Sequence, residues 1–160
     1  MTKILPGPNF SSDTWQQMCG YRLARLRKIM SQKNVDLCIL ANPISLRYAI
    51  DFDEYQVFQA HVPTCYLFVP LEGPLVMHGA TSQEFPNVAN YQRPRFVSPF
   101  DGGFDLNEKT RLFADDVKSL LEADHLNSAT SRIALERFTP LATQALEALG
   151  FKVIDADCIV

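Results

Sequence analysis

Seven residues, VDLCILA at 35–41, constrain the fold of this chain more than any others. Apart from Asp36 the run is apolar without alternation, it is as short as a strand, and it is bounded by Asn34 and by Asn42-Pro43. A strand apolar on both sides needs a packed layer on each face, so the expected frame is a sheet sandwiched by helices. Asn42-Pro43 then supplies an N-cap and a first-turn proline for a short helix through about Ala49.

The rest of the chain fits that frame. A Pro/Gly-rich leader over residues 1–12 precedes one domain over 13–160. Ser12, Asp13 and Thr14 offer helix caps, with Gln16 and Gln17 placed to complete a capping box. Trp15, Met18, Cys19, Leu23, Leu26, Ile29 and Met30 keep to steps of three and four, so a long amphipathic helix runs to about Lys33, with Asn34 as its stop. TCYLFV (64–69) and PLVMH (74–78) flank the reversal PLEGP and pair as an antiparallel hairpin. Thr81 or Ser82 caps a short helix limited by Pro86, RFV (95–97) reads as a short strand, and SPFDGGFD (98–105) is a loop. A helix from Asn107 puts Leu112, Phe113, Val117, Leu120 and Leu121 on one face. RIALE (132–136) is a strand. Thr139-Pro140 starts a helix carried by Leu141, Ala145, Leu146 and Leu149 to Gly150, and FKVI (151–154) is the closing strand. The class is α/β, a mixed and mainly parallel sheet with an inserted hairpin and helices on its faces.

Composition removes several function classes. With 160 residues the chain buries roughly 70% of its unfolded surface and needs no metal or disulfide to hold a core. Fifteen Lys and Arg against eighteen Asp and Glu, net −3, argue against nucleic acid. The basic run YRLARLRK reads as the solvated side of an amphipathic helix. Cys19, Cys38, Cys65 and Cys158 show no C-x-x-C spacing and read as buried free thiols of a reducing compartment. No apolar run reaches membrane length and the N-terminal one is too short for a signal peptide, so a cytoplasmic protein without membrane partners is expected.

Catalytic equipment is sparse. His61, His78 and His125 lack partners at i+3 or i+4 and read as surface or packed histidines, not metal ligands. The acidic pairs in DAD (155–157) and DD (115–116) read as solvated carboxylates. There is no G-x-S-x-G elbow and no phosphate loop, and Gly102-Gly103 is a turn. What stands out is SLRYAIDFDEYQVFQAHVP (45–63), where Asp51, Asp53 and Glu54 mix with Phe52, Tyr55, Phe58 and His61. The plain reading is a surface loop against the core; the functional one is a ligand-contacting loop, with aromatic walls and acidic groups suited to a small amine or onium compound.

Arg22, Leu26 and Met30 form R-x-x-x-L-x-x-x-M, Val35-Asp36 turns into the apolar strand, and Pro43, Leu46, Tyr48 and Phe52 follow in order. Residues 21–52 thereby resemble the N-terminal domain of the creatinase, prolidase and aminopeptidase P family. Ser45 stands where that family usually has asparagine and Asp51 where it usually has glycine, so the turn at 51 would not draw on glycine's freedom at positive φ. Gln56, Phe58, His61 and Pro63 are similar to the branch containing dimethylsulfoniopropionate lyases.

The resemblance implies a non-catalytic domain with no cofactor or metal of its own. Its partner would be a C-terminal catalytic domain able to hold a divalent metal pair, in a homodimer acting on a small molecule or dipeptide. It further implies that Phe58, then Tyr55, Asp51 and His61, contact substrate without transferring protons. The rival expectations are a stand-alone binding or dimerisation module and a self-sufficient small enzyme using Asp51, Asp53 and His61.

Overall fold

The computed structural model describes residues 11–53, 65–79, 84–92, 105–123 and 130–160. Six strands form one sheet: β1 (Leu37–Leu40), β2 (Tyr66–Pro70), β3 (Leu75–His78), β4 (Val88–Gln92), β5 (Arg132–Leu135) and β6 (Lys152–Asp155). Their spatial order is β4-β3-β2-β1-β5-β6. β2 runs antiparallel to both β1 and β3, whereas the pairs β3–β4, β1–β5 and β5–β6 are parallel. The sheet is therefore mainly parallel with one reversed strand, introduced by the β2–β3 hairpin.

β1 lies near the middle and is buried along its whole length. Its side chains alternate between two cores, because successive Cβ atoms leave opposite faces of a sheet. Cys38 and Leu40 pack with Leu26, Met30, Leu46 and Ile50 from α1 (Ser12–Gln32) and α2 (Pro43–Ile50). Leu37 and Ile39 pack with Phe113, Val117, Ala142 and Leu146 from α3 (Leu106–Ala123) and α4 (Pro140–Ala148). A 3-10 turn, Ala156–Cys158, follows β6. No described helix is long and apolar enough to cross a membrane.

Several local expectations are corrected. The α1 cap is Ser11, whose Oγ accepts from the Thr14 N–H at 3.2 Å, one residue before the expected cap and inside the expected leader. Thr139 occupies the N-cap of α4 without a side-chain capping bond, and its Oγ1 is buried without a partner among the described residues. Leu141 is exposed while Ala142 turns to the core, since the helical face is set by Ala142 and Leu146 at i and i+4. Cys158 is exposed; the other three cysteines are buried. β4, VANYQ, was not expected: it adds to β3 as an edge strand and is mostly exposed. The expected caps Thr81 and Ser82, the strand at 95–97 and most of the loop at 98–105 lie outside the described residues; residues 84–87, where the short helix was expected to run towards Pro86, are not helical.

The basic run on α1 does more than face water. Arg27 donates from Nε to the Pro70 carbonyl at 3.1 Å and from its terminal nitrogen to the Gly73 carbonyl, closing the β2–β3 turn. Arg22 lies over the Tyr48 ring at 5.7 Å and 3.8 Å from the Asp51 carboxylate.

Candidate functional site

β1 and β5 are parallel neighbours, yet their following helices pack on opposite faces of the sheet: α2 with α1, and α4 with α3. Chains that depart to opposite sides leave a crevice beyond the carboxyl ends of the two strands, the usual ligand position of open α/β sheets. Here Glu136, the residue after β5, fills it. Its Oε2 accepts from the Ala41 and Asn42 N–H groups at 2.8 and 2.7 Å, and its Oε1 from the Ser45 hydroxyl at 2.6 Å. Its own N–H donates to the Ile39 carbonyl at 3.0 Å. The side chain is buried. The Asn42 side chain caps α2 itself, accepting from the Ile44 N–H at 3.1 Å, while the N–H groups of the two residues joining β1 to α2 are satisfied by a carboxylate of the same chain.

Ser45, the departure from the usual asparagine, is thus one of three donors to Glu136. Glu136 was not singled out from the sequence. A carboxylate ending the apolar run IAL was the available signal, but its partners lie 91 to 95 positions away.

Beside this plug opens a cleft of about 460 Å³, with Leu26, Ile29 and Ile159 among its apolar lining and Arg25, Tyr48 and Asp157 among its polar lining. On the other side of β5 and β6, Arg137, Phe138, Thr143 and Asp155 line a second depression of about 420 Å³.

Of the four expected contact residues, the structure places Asp51; Tyr55, Phe58 and His61 lie outside the described residues. Asp51 ends α2 in the left-handed region, φ 62° and ψ 30°. The turn thus reaches positive φ without glycine: aspartate takes that conformation itself, as short polar side chains do more readily than others. Its N–H closes on the Arg47 carbonyl at 3.0 Å. Its Oδ2 accepts from Trp15 Nε1 at 2.9 Å, and its Oδ1 lies 3.1 Å from Arg47 Nε. Arg47 also reaches Asp53, 3.7 Å away. The end of α2 and the start of α1 are thereby clasped immediately before residue 54. Phe52 is buried and meets Phe85 at 5.8 Å between ring centroids.

His78 is a packed histidine, stacked on Tyr66 with centroids 4.6 Å apart and close to Phe68. Asp155 caps the 3-10 turn through the Asp157 N–H, and Asp115 pairs with Arg111 on the outer side of α3. Among the described residues no group of three or more His, Cys, Asp or Glu converges as a metal site would require. Burial raises the Cys19 thiol, with Asp51 adding to the effect, and lifts Cys65 to about 11. Cys38 is pushed further up, by burial first and then by the charge of Glu136.

The creatinase/prolidase N-terminal domain family matches residues 22–160. The chain is 26% identical over 147 residues to the dimethylsulfoniopropionate lyase DddP of Roseovarius nubinhibens, a match covering 89% of this chain and 32% of that protein. The chain thus spans about a third of the length of the curated relatives it matches. Among solved structures, an Xaa-Pro aminopeptidase from Streptococcus thermophilus superposes with a TM-score of 0.55 at 16% identity, over 86% of this chain and 91% of that one. One from Streptococcus pyogenes does so with a TM-score of 0.55 at 12% identity, over 87% and 92%. These two share the fold.

Proposed function

Because this chain belongs to the creatinase/prolidase N-terminal domain family, we propose that it works as the non-catalytic part of a longer creatinase- or Xaa-Pro-peptidase-like hydrolase. In this reading it supports a homodimer and lends one wall to the substrate pocket of a C-terminal catalytic domain. The observation that carries the reading is the match to only 32% of a lyase's length by 89% of this chain. The crevice at β1 and β5 adds support, since the position where such sheets hold ligands is taken by Glu136.

The wall comes from the segment after α2. Phe58 is the principal contact, with Tyr55 and His61 beside it, and these groups orient substrate and exclude water. Asp51, tied to Trp15 and Arg47, serves mainly to hold the root of that segment. Any divalent metal pair belongs to the catalytic domain, where it would polarise the scissile group.

The relative from Roseovarius nubinhibens favours a second reading, the N-terminal part of a dimethylsulfoniopropionate lyase-like enzyme. One experiment addresses both. The chain alone and a longer protein containing it are assayed with Xaa-Pro dipeptides, creatine and dimethylsulfoniopropionate, with and without divalent metal. We expect turnover by the longer protein only, and a rise in KM of about tenfold for Phe58→Ala, the effect of losing roughly 1.4 kcal/mol of binding. Turnover by the chain alone would overturn the proposal. Turnover of dimethylsulfoniopropionate rather than of peptide or creatine selects the second reading.

A further inference from the structure

We infer that Arg47 and Asp53 are positioning residues: the ion-paired span from α2 through Arg47 to Asp53 sets the heading at which the chain leaves for Phe58, and so places the substrate contact. The inference rests on the reading proposed above. Three consecutive residues before position 54 are each held. Asp51 accepts from Trp15 Nε1 at 2.9 Å and pairs with Arg47 Nε at 3.1 Å. Phe52 is buried and meets Phe85. Asp53 Oδ2 lies 3.7 Å from Arg47 Nη1. One guanidinium in the last turn of α2 therefore spans two carboxylates, on a planar fork whose donors cannot turn independently.

Stability does not account for this span. The side chains of Arg47 and Asp53 are 52% and 51% exposed, and surface pairs of that kind add little to folding. When Arg47 is lost, Asp51 keeps Trp15 and still lies 3.8 Å from Arg22. What the loss releases is the direction of the chain at residue 53. After residue 64 burial fixes the chain again, with Cys65 and Tyr66 both in the core.

Reach amplifies a small change at Asp53. Phe58 is five positions further on, at most about 18 Å of extended chain. A turn of about 10° at Asp53 can then move Phe58 by up to about 3 Å, and misplacement by about 1 Å can already cost on the order of 10²-fold.

The test is kinetic, in the longer protein and with the substrate that it turns over. Arg47→Gln keeps the aliphatic stem and removes the fork; it should raise KM about tenfold, as Phe58→Ala does, and change kcat by less than about twofold. Asp53→Asn removes the other end of the span and should act in the same direction. Because Arg47 acts through Phe58, Arg47→Gln combined with Phe58→Ala should have the KM of Phe58→Ala alone, not the roughly hundredfold rise of two independent losses. Arg47→Lys keeps the charge without the fork and should fall between wild type and Arg47→Gln. Arg111→Gln removes a similarly exposed helical arginine, paired with Glu108 and Asp115 on α3, and should leave KM unchanged. Urea midpoints of the two Gln variants should agree closely.

A normal KM in Arg47→Gln or Asp53→Asn, beside a raised one in Phe58→Ala, would overturn the inference and leave the proposed function standing. Multiplying effects in the double variant, or an equal rise in Arg111→Gln, would overturn it as well, since either marks a loss unrelated to Phe58. A normal KM in Phe58→Ala, or turnover by this chain alone, would overturn the proposed function itself and this inference with it.

Discussion

Trp15 and Asp51 are joined by a 2.9 Å hydrogen bond from indole Nε1 to carboxylate Oδ2 across 36 positions of sequence. The bond ties the first turn of α1 to the residue that caps the C-terminus of α2, and the same carboxylate pairs with Arg47. Asp51 also holds a left-handed backbone conformation, so it carries two separable contributions.

Substitutions at 51 divide them. Asp51→Gly loses the clasp and removes the backbone strain, whereas Asp51→Ala loses the clasp and keeps the strain. Urea denaturation should find Asp51→Ala less stable than wild type by roughly 2–3 kcal/mol and Asp51→Gly by about 1 kcal/mol less than that. Trp15→Phe should cost about 1 kcal/mol, and combining it with Asp51→Gly should add little. Equal losses for Ala and Gly would mean that the left-handed conformation carries no strain.

Glu136 satisfies two backbone N–H groups and one hydroxyl at the start of α2. Glu136→Ala leaves all three without their acceptor and should lower stability by about 3 kcal/mol, with Ser45→Ala costing about 1 kcal/mol. Because the vacated space is lined by donors, formate at tens of millimolar should return part of the loss in Glu136→Ala and none in wild type, measured by thermal unfolding. Identical formate responses in the two proteins would refute the account of Glu136 as an internal anion.

Gly79 follows β3 with no room for a side chain: a Cβ there would stand 2.5 Å from the Cys65 Cβ. Both neighbours are fixed by the β2–β3 pairing. Gly79→Ala should therefore destabilise by roughly 1–3 kcal/mol, the usual range for overpacking. Adding Cys65→Gly should recover part of this, read as a double-mutant cycle in urea.

The thiols give the chain an alkaline weakness. Burial lifts Cys65 from 9.0 to about 11, and Cys19 and Cys38 are also raised. Below pH 9 the thiols are protonated in folded and unfolded chains alike, so their contribution is complete. Between pH 9 and 11 the unfolded chain releases from Cys65 a proton that the folded chain keeps, and stability falls by up to about 1.4 kcal/mol per pH unit on account of that thiol. Cys65→Ala should flatten the slope over that interval in urea titrations. At neutral pH Ellman's reagent should react quickly with one thiol, Cys158, and with the other three only on unfolding.

Much of the fold was legible because burial writes itself into sequence. The doubly covered β1, the hairpin of β2 and β3 and the Asn42-Pro43 start of α2 all occupy their expected places. β4 was not legible, since an edge strand in which only Val88 is half-buried carries no alternation. On α4, Leu146 is buried and Ala145 and Leu149 pack against the core as expected, but in the first turn Ala142, a small residue, faces the core while the larger Leu141 does not.

For the site, the importance of residue 51 was visible as a departure from glycine. Its partner Trp15 was not, because an indole at an apolar position of α1 looks like core. Glu136 was hidden for a related reason: its function depends on a contact about 95 residues away, which no local window contains.

That distance bears on the order of assembly. β1, α2, β2 and β3 occupy residues 37–78 and pair through short connections, whereas β5 reaches β1 only after a loop of about 95 residues has closed. Long closures cost more chain entropy, so the first four elements should condense early and β5 should join late. The bonds of Glu136 to Ala41, Asn42 and Ser45 then belong to the last stage. In stopped-flow chevrons, Glu136→Ala should leave the refolding rate almost unchanged and place its whole cost in faster unfolding, so this one carboxylate governs how long the native domain lasts and not how quickly it forms.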